Sequence, residues 1–299
     1  MKIKNFLFFL FFLIGCSTND CDNNQNNPLK NISVKNLSAE ISSINSLDEF
    51  KMFLNSNKNV LFPFYEIEDT ILFSEKANNA FSLIDNVYFD SLSFDVALEF
   101  ENLQKVFSQL DNSIEVLNNE SNRVFLPKVT VLTSGFFNDI VVNQDNIVIG
   151  LDYFLPKSNK YKPRDLPSYI LDRYTPEHLN AISLSTYLSQ FNLINELDLT
   201  MVNEMISFGK LYYVVSKLLP CAQQKIILGY STEEYNLLEE NEAFIYSYFL
   251  QNELLFEESN LIKQKYLSER PSTFEISQSV PGRVGRWLGW KIVSSYMLS

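Results

Sequence analysis

The stretch that decides the fold is PGRVGRWLGWKIV, residues 281–293, close to the C-terminus. Its opening Pro-Gly pair is typical of a turn, and a helix is predicted after it, over about residues 283–297. Gly285 and Gly289 lie one helical turn apart on the same face of that helix, so a neighbouring element can approach closely. Glycine inside a helix costs about 0.5–1 kcal/mol relative to alanine, and a close contact would offset that cost.

The same stretch carries two arginines, Arg283 and Arg286, in a chain with an excess of carboxylates. We expect one of them to pair with Glu204 or Glu242, which lie on predicted helices upstream. Two interpretations of the stretch stay open. Its tryptophans and glycines either pack the core, which is the usual use of such residues, or dock a partner protein.

A second informative stretch, Asn-Glu-Met-Ile-Ser at residues 203–207, lies in a helix predicted over residues 200–218. Zinc peptidases of the zincin type have H-E-x-x-H on one helix, with two His as metal ligands and the Glu activating water. Asn203 and Ser207 occupy the two His positions here, and only Glu204 is retained. Because zinc selects Cys, His and carboxylate ligands, the pattern predicts a helix without metal, without cofactor and without catalytic function.

Helical periodicity separates Glu204 from its polar neighbours. At about 100° per residue, Asn203, Ser207 and Lys210 form one polar stripe, and Glu204 lies among apolar positions beside it. A buried unpaired carboxylate costs several kcal/mol, so we expect a charged partner. Glu242, in an Asn-Glu pair on a later helix, stands where thermolysin-like zincins have a third ligand. We therefore predict a vestigial pocket of Asn203, Glu204, Ser207 and Glu242.

Composition excludes several classes of function. The chain has 299 residues and a formal charge of −12, or −14 once Lys2 and Lys4 are removed with the leader predicted below. Nucleic-acid binding requires clustered cations, so it is not expected. A single histidine, His178, excludes a two-His metal site, and we expect it to be solvated in the first turn of its helix.

The N-terminus has the pattern of an export signal with a lipid anchor. Two lysines precede a nine-residue apolar run, Phe6–Ile14, which is too short to span a bilayer. The following Gly-Cys completes a pattern similar to the bacterial lipobox, which implies cleavage before Cys16 and its acylation. We predict a signal peptide over residues 1–15 and a flexible, Asn-rich tether over residues 16–37. Pairing of Cys21 with Cys221 stays open.

The rest of the chain, residues 38–299, is predicted to be one α+β domain, mostly helical, with a small antiparallel sheet. Short β-branched runs predict strands at about 128–133, 139–142 and 146–151. Helices are predicted within residues 75–118, and then at about 177–191, 200–218, 232–256, 259–267 and 283–297.

Four blocks in this order resemble the gliding-motility lipoprotein GldB family of Bacteroidota: IVIGLDYFLP at 147–156, NEMISFGKLYYVVSKLLP at 203–220, NEAFIYSYFLQNELLF at 241–256 and PGRVGRWLGWKIVSSYM at 281–297. The resemblance covers about residues 125–298, and the last block is the most specific. It implies a zincin-like layout that has lost its metal, and a lipoprotein associated with gliding motility and type IX secretion. One departure is Pro156, where the family pattern has Gly.

Three functions are compatible with these observations. The first is a non-catalytic lipoprotein anchored in the outer membrane, acting as an accessory or scaffold of the motility or secretion machinery through unidentified envelope proteins. The second is a hydrolase that uses Glu204 and Glu242 as acid and base. The third is an envelope lipoprotein that binds a peptide or glycan in the vestigial pocket.

Overall fold

The computed structural model describes residues 28–68, 71–121 and 125–299, which form a mostly helical α+β domain around one four-stranded sheet. The strands run in the order β1-β2-β4-β3. Their bounds are β1 Ser33–Asn36, β2 Lys128–Leu132, β3 Ile140–Asn143 and β4 Asn146–Gly150.

Six helices of the described residues precede the sheet hairpin and eight follow it. The first six are α1 Ser38–Ser42, α2 Leu47–Ser56, α3 Lys58–Phe64, α4 Phe73–Ile84, α5 Phe89–Glu99 and α6 Leu103–Glu120. The later eight are α7 Ser168–Leu171, α8 Leu179–Ser189, α9 Met201–Leu218, α10 Gln224–Leu228, α11 Thr232–Glu240, α12 Glu242–Gln251, α13 Asn260–Leu267 and α14 Val284–Leu298. None of them is long and apolar enough to cross a membrane.

The sheet is mixed, so the predicted antiparallel sheet is wrong for two of its three pairings. Only the β3–β4 hairpin is antiparallel; β2 pairs with β4 in parallel, and β1 pairs with β2 in parallel. After β2, residues 133–139 carry the chain to the sheet edge, where β3 forms, and β4 then returns between β3 and β2. Residue periodicity indicates that a segment is a strand, but not which strand it pairs with. The parallel pairing of β2 with β4 therefore could not be predicted from the sequence.

The described residues include a strand before the predicted domain start at residue 38. Strand β1 lies in what was predicted to be the tether, and Asp111 of α6 fixes the segment before it. The Asp111 carboxylate accepts hydrogen bonds from the backbone N–H groups of Lys30 (3.0 Å), Asn31 (2.7 Å) and Ile32 (2.9 Å). A local sequence pattern cannot predict this contact, because Asp111 lies about eighty residues from the segment that it binds. The predicted signal peptide and the anchor Cys16 lie outside the described residues.

Most predicted helices are confirmed, but the helix predicted over residues 232–256 is broken. It divides at Asn241 into α11 and α12, with Asn241 in a non-helical conformation (φ −107°, ψ 14°). The predicted capping box at the start of α11 is present: Ser231 Oγ accepts from the Glu234 N–H (3.1 Å), and the Glu234 carboxylate accepts from the Ser231 N–H (2.8 Å).

Helices α9 and α14 cross at two glycines. A Cβ at Gly289 would lie 1.9 Å from the carbonyl oxygen of Met205, and a Cβ at Gly209 would lie 2.3 Å from the carbonyl oxygen of Gly289. The close approach predicted for Gly289 is therefore confirmed. Trp287, on the same helix, is fully buried, so the C-terminal block is used for core packing.

The sheet separates two hydrophobic clusters. Alternation along β4 places Ile147 and Ile149 in the larger cluster, with α8, α9 and α14, and Val148 in a smaller one, with α2, α3 and α4. Met205 of α9 and Trp287 of α14, which flank the regions described next, belong to the larger cluster.

Candidate functional site

Asn203 and Ser207, which stand at the two His positions of the predicted zincin-like motif, hold a loop in place. Asn203 Nδ2 donates to the carbonyl oxygens of Asn195 (2.8 Å) and Asp198 (2.5 Å). Ser207 accepts from Asn192 Nδ2 through its side-chain oxygen (3.0 Å) and its carbonyl oxygen (2.9 Å). Both side chains therefore face residues 191–199, which lie within the segment between α8 and α9. We call these residues the apolar loop.

The apolar loop is named for the side chains it exposes. Lys210, the third member of the polar stripe, donates from Nζ to the carbonyl oxygen of Leu193 (2.7 Å). With its backbone held by α9, the loop presents large apolar side chains to solvent, with exposed fractions of 83% for Leu193, 41% for Ile194, 93% for Leu197 and 58% for Leu199. Several exposed apolar side chains within one short segment are typical of interaction sites.

Glu204 has the charged partner that the sequence required, but the predicted partner is wrong. Its carboxylate accepts from Lys263 Nζ of α13, and the same Nζ donates to the carbonyl oxygen of Leu199 (2.8 Å). The Lys263 side chain is 4% exposed and the Glu204 side chain 34%. Neither Arg283 nor Arg286 forms an ion pair with Glu204, because α13, which no local pattern places, lies on that side of α9.

Glu242 is not paired with Arg283 or Arg286 either. Lys291 Nζ lies 2.7 Å from Glu242 Oε2 and 3.0 Å from Glu239 Oε2. Burial alone would lower the pKa of Lys291, but hydrogen bonds to Glu242 and Glu239 raise it. Glu204 and Glu242 are thus held by different lysines, and the polar stripe faces the apolar loop. The four residues of the predicted vestigial pocket are not brought to one site.

The arginines of the C-terminal block line a different cavity, which we call the arginine cavity. Its volume is about 340 Å³, and it lies between α8, α10 and the start of α14. The described residues that line it include three arginines and one glutamate, Arg173, Arg283, Arg286 and Glu269. Its other walls are mainly apolar, with Ile170, Ile182, Tyr212, Ile226, Ile227 and Leu228 among them.

Glu269 is the carboxylate on which the three arginines converge. Arg173 binds it in a bidentate manner, with Nη1–Oε1 at 3.2 Å and Nη2–Oε2 at 2.6 Å. Arg283 Nε lies 3.3 Å from Oε2, and Arg286 Nη1 lies 3.4 Å from Oε1. Burial alone would raise the pKa of Glu269, but the positive charge of Arg283 and the contacts with the other two arginines lower it below its ordinary value.

Arg283 is fixed more firmly than its two companions. It has a left-handed backbone (φ 60°) directly before α14. Its Nη1 and Nη2 donate to the carbonyl oxygens of Leu228 (3.0 Å) and Gly229 (2.6 Å), and its guanidinium lies 4.7 Å from the ring centre of Tyr230. These contacts occupy the donors of Arg283 with protein groups.

The single histidine is buried, so its predicted solvation is wrong. His178 is 6% exposed, and its Nδ1 lies 2.7 Å from Thr175 Oγ1. Burial, and to a smaller extent nearby lysines and Arg173, lowers the pKa of His178 to about 4. The preceding Thr-Pro pair predicts a helix start, and helix starts normally lie in solvent. This local signal does not indicate that the start packs against other elements.

A buried carboxylate that no sequence motif marks lies two residues after β4. Asp152 is 1% exposed and accepts hydrogen bonds from the N–H groups of Ser134 (2.9 Å) and Phe136 (2.6 Å). Burial raises its pKa to about 6 despite these donors. Among the described residues, no three His, Cys, Asp or Glu side chains converge in a way that could hold a metal ion.

Cys221 is disulfide-bonded. Cys16 and Cys21 lie outside the described residues, and the question of a Cys21–Cys221 pairing stays open.

The fold is a mostly helical α+β domain in which Asn203, Glu204 and Ser207 of α9 make structural contacts. Comparison with known families gives the class of the protein: it is one of the gliding-motility lipoproteins of the cell envelope. The family described as "Gliding motility protein GldB" matches residues 18–299, so the chain belongs to this family. No curated protein and no solved structure matches the chain. The family resemblance is confirmed, and the zincin-like layout stays a prediction.

Proposed function

We propose that this protein is a non-catalytic lipoprotein of the outer membrane that acts as an accessory or scaffold component of the gliding-motility or type IX secretion machinery. Acylation of Cys16 anchors it, and its partner is an envelope protein. The observation that carries the proposal is the use of Asn203 and Ser207, the positions of zincin ligands, to hold the apolar loop. Residues that would serve chemistry in a peptidase here serve the display of an apolar surface.

The apolar loop is the surface we assign to the partner. The exposed Phe256 and Leu261 extend it, because Met201 N–H donates to the carbonyl oxygen of Glu257 (2.8 Å) and Lys263 binds the loop backbone. Glu196 and Asp198 lie within the loop. A partner with an apolar centre and basic residues around it would complement this surface in both shape and charge.

The hydrolase alternative finds less support in the contacts of Glu204. A general base must be able to reach a proton of the substrate or of a water molecule, whereas the Glu204 carboxylate is bonded to a buried ammonium group. Glu242 is held by a separate lysine. We therefore place the pair outside catalysis and assign Glu204 to stability.

A cross-linking experiment tests the assigned surface. A photoreactive amino acid replaces Leu197 in cells of the native organism, and a matched variant carries it at Leu98, an exposed apolar residue of α5 (66% exposed). We expect the Leu197 variant, but not the Leu98 variant, to capture a motility or secretion component of the envelope. Equal capture at both positions, or none at Leu197, would contradict the surface assignment.

A second measurement tests the absence of catalysis. Purified full-length protein is assayed for bound zinc and for cleavage of a mixed peptide library. Stoichiometric zinc, or cleavage that Glu204→Gln abolishes in a folded variant, would overturn the scaffold proposal in favour of the hydrolase.

A further inference from the structure

We propose that the arginine cavity is a binding site for a small organic anion that has one carboxylate group and an apolar body. The carboxylate would lie at the arginines and the body against the apolar walls. The proposal does not depend on the function proposed above, because the cavity and the apolar loop share no residue.

Charge is the first argument. Three guanidinium groups meet one carboxylate, and arginine stays protonated in proteins, so these groups carry a formal charge of about +2 by this count. The surplus lies in a chain whose overall charge is −12. The pair of Glu204 with Lys263 has one charge of each sign, and Lys291 faces two glutamates. Of these three ion-pair clusters, the one at the arginine cavity has fewer negative than positive charges.

An unused donor is the second argument. Arg173 Nε is buried and has no hydrogen-bond partner among the described residues. Both Nη groups of Arg173 are directed to Glu269. Buried donors in proteins are almost always satisfied, by protein groups, by water or by a ligand. An acidic oxygen in the cavity would satisfy this one.

The shape of the cavity gives the class of ligand. Its volume of about 340 Å³ lies at the lower end of the range of about 300–1,000 Å³ for small-molecule pockets. Isoleucine and leucine side chains and the Tyr212 ring form much of the wall, and the hydroxyl-bearing Ser185 and Thr186 also line it. A ligand with an apolar body gains from this wall, whereas a bare inorganic anion does not.

Glu269 shows which head group fits. Its carboxylate makes the bidentate contact that arginine forms with carboxylates, so the arginines are already arranged for this group. The Glu269 side chain is 35% exposed, so the carboxylate lies at the mouth of the cavity, where a ligand can bind beside it or displace it. Glu269 thus competes with the ligand for the same cations.

Binding of defined probes tests the proposal. Isothermal titration of the purified full chain uses octanoate, acetate and 1-octanol, and separately N-acetyl-Leu-Leu and its C-terminal amide. We expect octanoate or the peptide acid to bind at least about tenfold more tightly than acetate, since apolar burial adds to the ionic contact. The uncharged octanol and the peptide amide should bind more weakly than their acids. Preference for octanoate would indicate a lipid-derived ligand, and preference for the peptide acid a chain terminus.

Two substitutions link binding to the arginines. Arg173→Gln should weaken the acid probe about tenfold or more, because charge-assisted hydrogen bonds are lost. Arg270→Gln is the matched control: Arg270 is also part-buried and paired with a glutamate, Glu275 (3.0 Å), but does not line the cavity. Glu269→Gln should tighten binding several-fold, because it removes the competing carboxylate.

Three results would overturn the proposal: no acid probe binds to either wild type or Glu269→Gln, the neutral probes bind as tightly as the acids, or a folded Arg173→Gln binds as tightly as wild type. If Arg173→Gln fails to fold, the Glu269→Gln titration decides alone. Octanoate should also raise the unfolding midpoint of Glu269→Gln more than it raises the wild-type midpoint.

Discussion

Two carboxylates, those of Glu204 and Glu269, are held in opposite ways. Glu204 meets a single lysine whose ammonium also binds a backbone carbonyl, so the charges balance and that cation is occupied by protein groups. Glu269 meets three arginines, and the buried Arg173 Nε has no hydrogen-bond partner in the part of the chain that the structure describes. The first arrangement is a closed structural pair, and the second has unused capacity for an anion.

The difference shows that a retained motif residue does not locate a binding site. Glu204 stands at the Glu position of the predicted zincin-like motif, yet its contacts are structural. Glu269 belongs to no motif, yet it lies where charge and an open cavity coincide. Charge balance and unsatisfied donors, which depend on which helices meet, identify the site better than the sequence motif does.

The largest effect should come from disturbing the crossing that supports both carboxylate sites. Gly289→Ala places a Cβ 1.9 Å from a backbone oxygen of Met205, so α9 and α14 must separate. We expect a loss of at least about 2 kcal/mol in the free energy of unfolding, measured by urea denaturation. Gly285→Ala is the control, because its shortest contact would be 2.8 Å to the end of the Leu267 side chain, which can move. Equal stability of the two variants would show that the crossing is not tight.

The next effect concerns the closed pair alone. Glu204→Gln should cost about 1–3 kcal/mol, because it leaves a buried ammonium without its counter-charge. Lys263→Met should cost less, about 1 kcal/mol, because methionine fills the same space and the partly exposed Glu204 can be hydrated. Urea denaturation of both variants at neutral pH measures the asymmetry. A greater loss for Lys263→Met would mean that the lysine's bond to Leu199, and not its charge pairing, dominates.

Local patterns were sufficient for part of this molecule. The bounds of α9, the capping box of α11 and the need of Glu204 for a charged partner all follow from spacing within one helix turn or a few turns. The identity of that partner, the parallel pairing of β2 with β4 and the burial of His178 depend on contacts between distant segments. Arg173 and Glu269 were missed because each is an ordinary charged residue in its own segment, and only the fold brings them together.

The smallest effect should be a pH dependence that separates the two carboxylate sites. The arginines lower the pKa of Glu269 below its ordinary value of 4.5. Between its folded and unfolded pKa values the unfolded chain binds more protons, so Glu269 contributes stability above pH 4.5 that is lost as the pH falls through the folded pKa. Because the carboxylate is a third exposed, we expect the contribution to be less than about 1 kcal/mol.

Difference curves isolate this contribution from other groups. Unfolding free energies of wild type and Glu269→Gln are measured by urea denaturation between pH 3.5 and pH 7, and their difference should shrink toward the acid end. The contribution of His178 to the free energy of unfolding also decreases as the pH falls from about 6.5 toward 4. His178 is present in both proteins, so this contribution cancels in the difference. Asp152→Asn is the control with the opposite pH dependence. Burial raises the Asp152 pKa to about 6, so its protonated side chain contributes stability at low pH that is lost as the pH rises through about 6. A wild-type minus Glu269→Gln difference that is flat with pH would mean that the three arginines do not hold Glu269 as an ion, and would remove the contrast with Glu204.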